Sequence, residues 1–167
     1  MVEKDKVIPP QKVRHVGFFD FKETYRYAYL WWIEEGYDLV EKNYTEKITQ
    51  RGKEVEIEWL AIKKISDYFR FFVVTKWRVV GMNDAEVEQG GKKIKIDKGD
   101  CEIKVEQIVL EKDWESRWEG GPFWKFLRGM YDKYIIRSRI DAYEGKLVGE
   151  VNDFIDQMKG YLALSIK

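Results

Sequence analysis

The sequence predicts an α+β fold: a curved antiparallel sheet of six to seven strands in meander order around a long C-terminal helix, with one helix after the first strand and an extra terminal helical segment. Three observations predict it. After Gly120-Gly121-Pro122, a break followed by the residue best tolerated at a first helical position, Phe123, Phe126, Leu127, Met130, Tyr131, Tyr134 and Ile135 recur at spacings of three and four. Leu147, Val148, Val151, Phe154, Ile155, Met158 and Leu162 resume the same stripe. Between Gly36 and Glu111 the period switches from helical to alternating, with turn signals at Arg51-Gly52, Ser66-Asp67, Gly90-Gly91 and Lys98-Gly99.

Residues 1–12 form a polar leader containing Pro9-Pro10, expected to be mobile or packed as an extended arm. Residues 13–19 read as the first strand. Asp20 then offers a helix cap, with Glu23 at the spacing of a capping box. The helix it opens carries Phe21, Tyr25, Ala28, Tyr29 and Trp32 on one face, widened by Tyr27, Leu30 and Trp31, and ends at Gly36. Strands follow at residues 42–50, 53–65, 68–81, 85–89, 92–97 and 100–111.

In the third of these runs Phe69, Phe71, Val73, Trp77 and Val79 share a core face, while Arg70, Lys76 and Arg78 lie on the other. Two runs change phase. Val55, Ile57 and Trp59 give way to Leu60 and Ile62, and Cys101, Ile103 and Val105 give way to Ile108 and Leu110, which predicts bulges. A single helix over residues 123–162 would be roughly 60 Å long, twice the width of a small domain. A bend at Gly145 is therefore expected, dividing one domain of residues 13–167 into a core, 13–144, and an additional terminal helix, 146–164.

Composition bounds the function. A chain of 167 residues, 44% hydrophobic and 16% aromatic, buries a substantial core as one unit. Thirty basic and thirty acidic residues cancel, so no global field gathers nucleic acid or an anionic membrane. No uncharged apolar run is long enough for a membrane span, and a single Cys builds no internal disulfide, which together lead us to expect a cytoplasmic protein. A 36% charged content beside three Asn and five Gln is the balance expected of a thermophilic source.

Catalytic signals are sparse. His15 and Cys101, the sole residues of their types, are too few for an imidazole or thiolate metal site, and as a nucleophilic pair they lack an orienting third group. Carboxylate pairs such as Glu34-Glu35, Asp113 with Glu115, and Asp141 with Glu144 are what thirty acids produce on solvated faces. No catalytic residue, metal or cofactor is assigned. One aromatic cluster rises above this background: Trp114, Trp118, Phe123 and Trp124 around Gly120-Gly121, the rim of a pocket, an exposed anchor for a partner, or a plug at the end of the sheet. The basic residues near it, Arg117, Lys125, Arg128, Lys133, Arg137 and Arg139, alternate with Asp113, Glu115, Glu119 and Asp132, as on a salt-bridged helix surface.

In order, strand, helix, six-stranded meander and long C-terminal helix resemble the helix-grip superfamily of START-like proteins. The resemblance covers residues 13–143 as element order and carries no sequence motif. It implies a hydrophobic small molecule held between sheet and helix. The ligand-binding residues would then be Trp77 on the sheet and Tyr134 on the helix, with Trp118 and Trp124 near the mouth. A non-catalytic binding protein is thus the first reading. Self-association or assembly into a larger complex is the second, and an enzyme of unknown type the third.

Overall fold

A computed structural model of the chain describes residues 3–6, 8–66, 68–112, 123, 126–127, 130 and 137–164. Its elements are β1 (Glu3–Lys6), β2 (Gln11–Phe19), α1 (Phe21–Glu34), β3 (Asp38–Thr49), β4 (Gly52–Lys64), β5 (Phe69–Gln89), β6 (Lys92–Lys112) and α2 (Arg137–Leu164). The class is α+β, with one antiparallel open sheet and a C-terminal helix. β1 and β2 both run along β6, Glu3 opposite Lys112 and Gln11 opposite Val105, so six strands fill five lanes in the order β1/β2, β6, β5, β4, β3. Part of the polar leader is therefore paired as an extended arm. Pro9-Pro10, which has no backbone N–H to donate, falls in the gap between β1 and β2.

Five lanes stand where a sheet of six to seven strands was expected. The middle of the chain holds four strands rather than six, because the breaks read at Gly81 and Lys98-Gly99 lie inside β5 and β6, each 21 residues long. Gly81, at φ +64°, sits in a register shift between Val80 and Asn83, and a Cβ on Gly99 would come within 3.0 Å of the Met82 Cα. Here glycine admits a bulge and a close backbone approach, with no reversal of the chain. The turns at Arg51-Gly52 and Gly90-Gly91 do reverse it. At the remaining turn the Ser66 hydroxyl accepts from the N–H groups of Tyr68 and Phe69, while Asp67 lies outside the described residues.

One of the two phase changes is a bulge in its own strand. Val74 faces Gln107 and Thr75 faces Val105, so Glu106 is the extra residue that keeps Cys101, Ile103, Val105, Ile108 and Leu110 on the covered face of β6. The other is not. β4 continues Val55, Ile57 and Trp59 with Ala61, a residue too small to stand out in an apolar pattern, and the bulge opposite lies in β3 between Glu41 and Asn43.

α1 starts where the Asp20 carboxylate accepts the Glu23 N–H at 3.1 Å, and it buries Thr24, Ala28 and Trp32. α2 corrects the expected bend: it runs unbroken through Gly145 for 28 residues, roughly 42 Å at 1.5 Å per residue. A helical glycine costs about 1 kcal/mol relative to alanine. Leu147, Val151, Phe154, Ile155, Met158 and Leu162 are all buried, each contributing roughly 1.5–3 kcal/mol, so the stripe decides. Phe126 and Met130 are helical but 63% and 41% exposed, while Tyr131, Tyr134 and Ile135 of the expected stripe lie outside the described residues. Phe154 packs on Trp32 at 4.7 Å, Tyr161 stacks on Tyr27 at 4.3 Å, and Tyr143 meets Phe69 at 5.0 Å, which sets both helices on one face of the sheet.

Candidate functional site

α1 places Phe21, Tyr25 and Tyr29 one helical turn apart, so the three rings form a column along one face. Tyr25 is its hub. Its ring lies 6.4 Å from Phe21, 6.3 Å from Tyr29, 6.4 Å from Tyr44, 5.1 Å from Trp59 and 6.1 Å from Trp77. Trp59 and Trp77, neighbours on β4 and β5 at 5.3 Å, are fully buried and make the floor. Tyr44 stands on β3 as the opposite wall, 43% exposed. The bulge after Glu41 brings that carboxylate onto the same face as Tyr44, opposite Trp59.

Two clefts open on either side of this hub. One, about 450 Å³, is lined by Phe21, Tyr25, Glu41, Tyr44, Lys53 and Met82 among others; the second, about 410 Å³, is lined by Tyr25, Arg26, Tyr29, Leu30 and Glu41. Tyr25 and Glu41 line both. The Tyr25 hydroxyl donates to Glu41 Oε1 at 2.6 Å, and the Trp59 indole N–H points to the same oxygen at 3.4 Å. Burial first, and the bond to Glu41 second, raise the Tyr25 phenol above its ordinary value near 10, so it remains a donor at neutral pH.

Around the rim the charges are largely matched. Lys53 Nζ pairs with Glu46 at 3.0 Å, and Asp97 accepts the N–H of Phe21 at the first turn of α1, at 3.0 Å. The opposite face of the sheet has a depression of about 320 Å³ among Glu56, Glu58, Lys76, Arg78, Glu102 and Lys104. Its acids and bases form cross-strand rows, Glu56 beside Arg78 and Arg78 beside Glu102, the pattern of a solvated face.

Of the sequence-derived ligand residues, Trp77 is placed, and it is floor rather than lining: 1% exposed, with its ring against Phe21, Tyr25 and Trp59. Trp118, Trp124 and Tyr134 lie outside the described residues. Under α2 the space is filled by Trp32, Phe71, Leu147, Phe154 and Met158, all fully buried. The cleft thus belongs to α1 and β3. Phe21, Tyr25 and Tyr29 were legible as a helical face; Glu41, Tyr44 and Trp59 carry no signal that marks them as a site.

The other candidates stay separate. His15 is the register partner of Cys101, but its ring N–H donates to the Phe18 carbonyl at 2.7 Å, and burial pushes the buried Cys101 thiol up to about 12. A thiol so placed supplies no thiolate at neutral pH. Among the described residues no group of His, Cys, Asp and Glu is arranged to hold a metal, and no helix is long and apolar enough to cross a membrane. In comparisons with known proteins, no family model, no curated protein and no solved structure matches the chain.

Proposed function

We propose that the chain is a non-catalytic binding protein of the helix-grip type whose hydrophobic small molecule sits between α1 and β3, beside the filled interface of sheet and α2. The observation that carries this reading is the ring cluster around Tyr25, exposed along a two-lobed cleft. Aromatic walls with a few fixed polar groups are the composition of small-molecule sites. The test is titration with an apolar, environment-sensitive dye, read through quenching of tryptophan emission, since Trp59 and Trp77 lie beneath the cleft. Saturable binding is expected, weakened about tenfold in Tyr44→Ala, which trims an exposed wall. An unchanged affinity in that variant, or no saturable binding at all, would move the site elsewhere.

A second reading, assembly, is favoured by β3. The strand is at the sheet edge among the described residues, and ten of its twelve residues are exposed, including Ile48 at 85%. Such an edge presents unpaired backbone groups to another chain.

A further inference from the structure

We propose that the cleft between α1 and β3 takes an organic cation, an ammonium or guanidinium group on an apolar body, with Glu41 as its counter-charge. This deepens the binding reading above and rests on it. The three carboxylates of the cleft differ in what they meet. Glu46 has Lys53, and Asp97 has the Phe21 N–H at the positive end of a helix. Glu41 alone of the three is met by neutral donors, Tyr25 and Trp59, and both point to Oε1. Among the described residues no hydrogen bond or ion pair reaches Oε2, which is left for a ligand.

The surroundings suit a cation. Tyr29 stacks on Tyr25 at an interplanar angle of 17°, Tyr44 stands edge-on to Tyr25 at 76°, and Tyr44 and Tyr29 line with Glu41 the two clefts. The negative face of such a ring attracts an ammonium or guanidinium group. Trp59, fully buried, anchors Glu41 from below and limits its freedom to turn away. Lys22 and Arg26 are exposed at the rim, where solvent screens them; they define the competing ligand, an anion.

Three probes of one shape decide it: 2-phenylethylammonium, 2-phenylethanol and phenylacetate, each titrated into the intact chain. Tryptophan emission and the indole N–H resonance of Trp59 report binding. The ammonium is expected to bind about tenfold more tightly than the alcohol, with phenylacetate weakest. Glu41→Gln, which keeps an acceptor for Tyr25 and Trp59, is expected to erase that preference, bringing the ammonium's affinity down to the alcohol's. Equal affinity for ammonium and alcohol in the native chain overturns the cation and leaves the cleft standing. A preference for phenylacetate overturns it in favour of Lys22, Arg26 and Lys53. Binding by none of the three overturns the cleft with it. Should Glu41→Gln fail to fold, the ranking in the native chain decides alone.

Discussion

Glu150 is carried into the core on α2, where the Tyr37 hydroxyl donates to its Oε2 at 2.5 Å and Lys63 Nζ to its Oε1 at 2.8 Å. Both ion-pair partners are little exposed, 17% for the Lys63 side chain and 10% for Glu150, and the Lys63 ammonium also lies 5.2 Å from the Tyr37 ring centre. The group ties α2 to β4 and to the turn after α1. Burial, then the hydrogen bond to Glu150 and its charge, raise the Tyr37 phenol above its ordinary value near 10. The folded chain therefore keeps this proton where the unfolded chain has lost it. The contribution of the bond is complete below about pH 10 and is lost as pH rises from there toward the folded value. Tyr37→Phe is expected to cost about 1.5–3 kcal/mol at pH 8, the usual range for a hydrogen bond to a charged group. The gap between native and variant, followed by urea unfolding from pH 8 to 11.5, should narrow above pH 10. A gap that stays constant over that range would remove the phenol from the account. Nothing in the sequence near Tyr37 announces this partner, since Glu150 is 113 residues away.

At the scale of elements, α2 is where the apolar pattern and its packing part company. The stripe was visible from Phe123 to Leu162, but periodicity alone does not say which of its residues are buried. A chain ending at Gly145 is expected to lose its cooperative transition. It would lack Leu147, Val151, Phe154, Ile155, Met158 and Leu162, six buried side chains worth roughly 9–18 kcal/mol together at 1.5–3 each. That matches or exceeds the entire stability of about 5–15 kcal/mol typical of a domain. Calorimetry checks it, and a sharp transition retained by the shortened chain would show α2 to be an addition to a core complete without it. α1 was more legible. Its cap, its three-ring face and its end are local features, and the Asp20 to Glu23 bond forms as the spacing suggested.

For the whole molecule the test concerns β3, the edge strand among the described residues. If copies pair there, light scattering will show a mass above one chain that falls on dilution, and Ile48→Lys, placing a charge at an 85% exposed position, will return it to one chain with little change in melting temperature. A single-chain mass at all concentrations ends the assembly reading. The sequence by itself determined the class, α1 with its cap, the hairpin reversals at Arg51-Gly52 and Gly90-Gly91, and the core face of β5. Each rests on interactions within a few residues, where period, capping and the conformational freedom of glycine act directly. Only the tertiary structure decided that β1 and β2 share a lane beside β6, that Gly99 is a close approach to Met82 and not a turn, and that α2 runs straight through Gly145. It alone also made the cleft. Glu41 meets Tyr25 and Trp59 across 16 and 18 residues, through a one-residue bulge and the packing of a helix on a sheet, and such long-range contacts leave no period in the chain to be read.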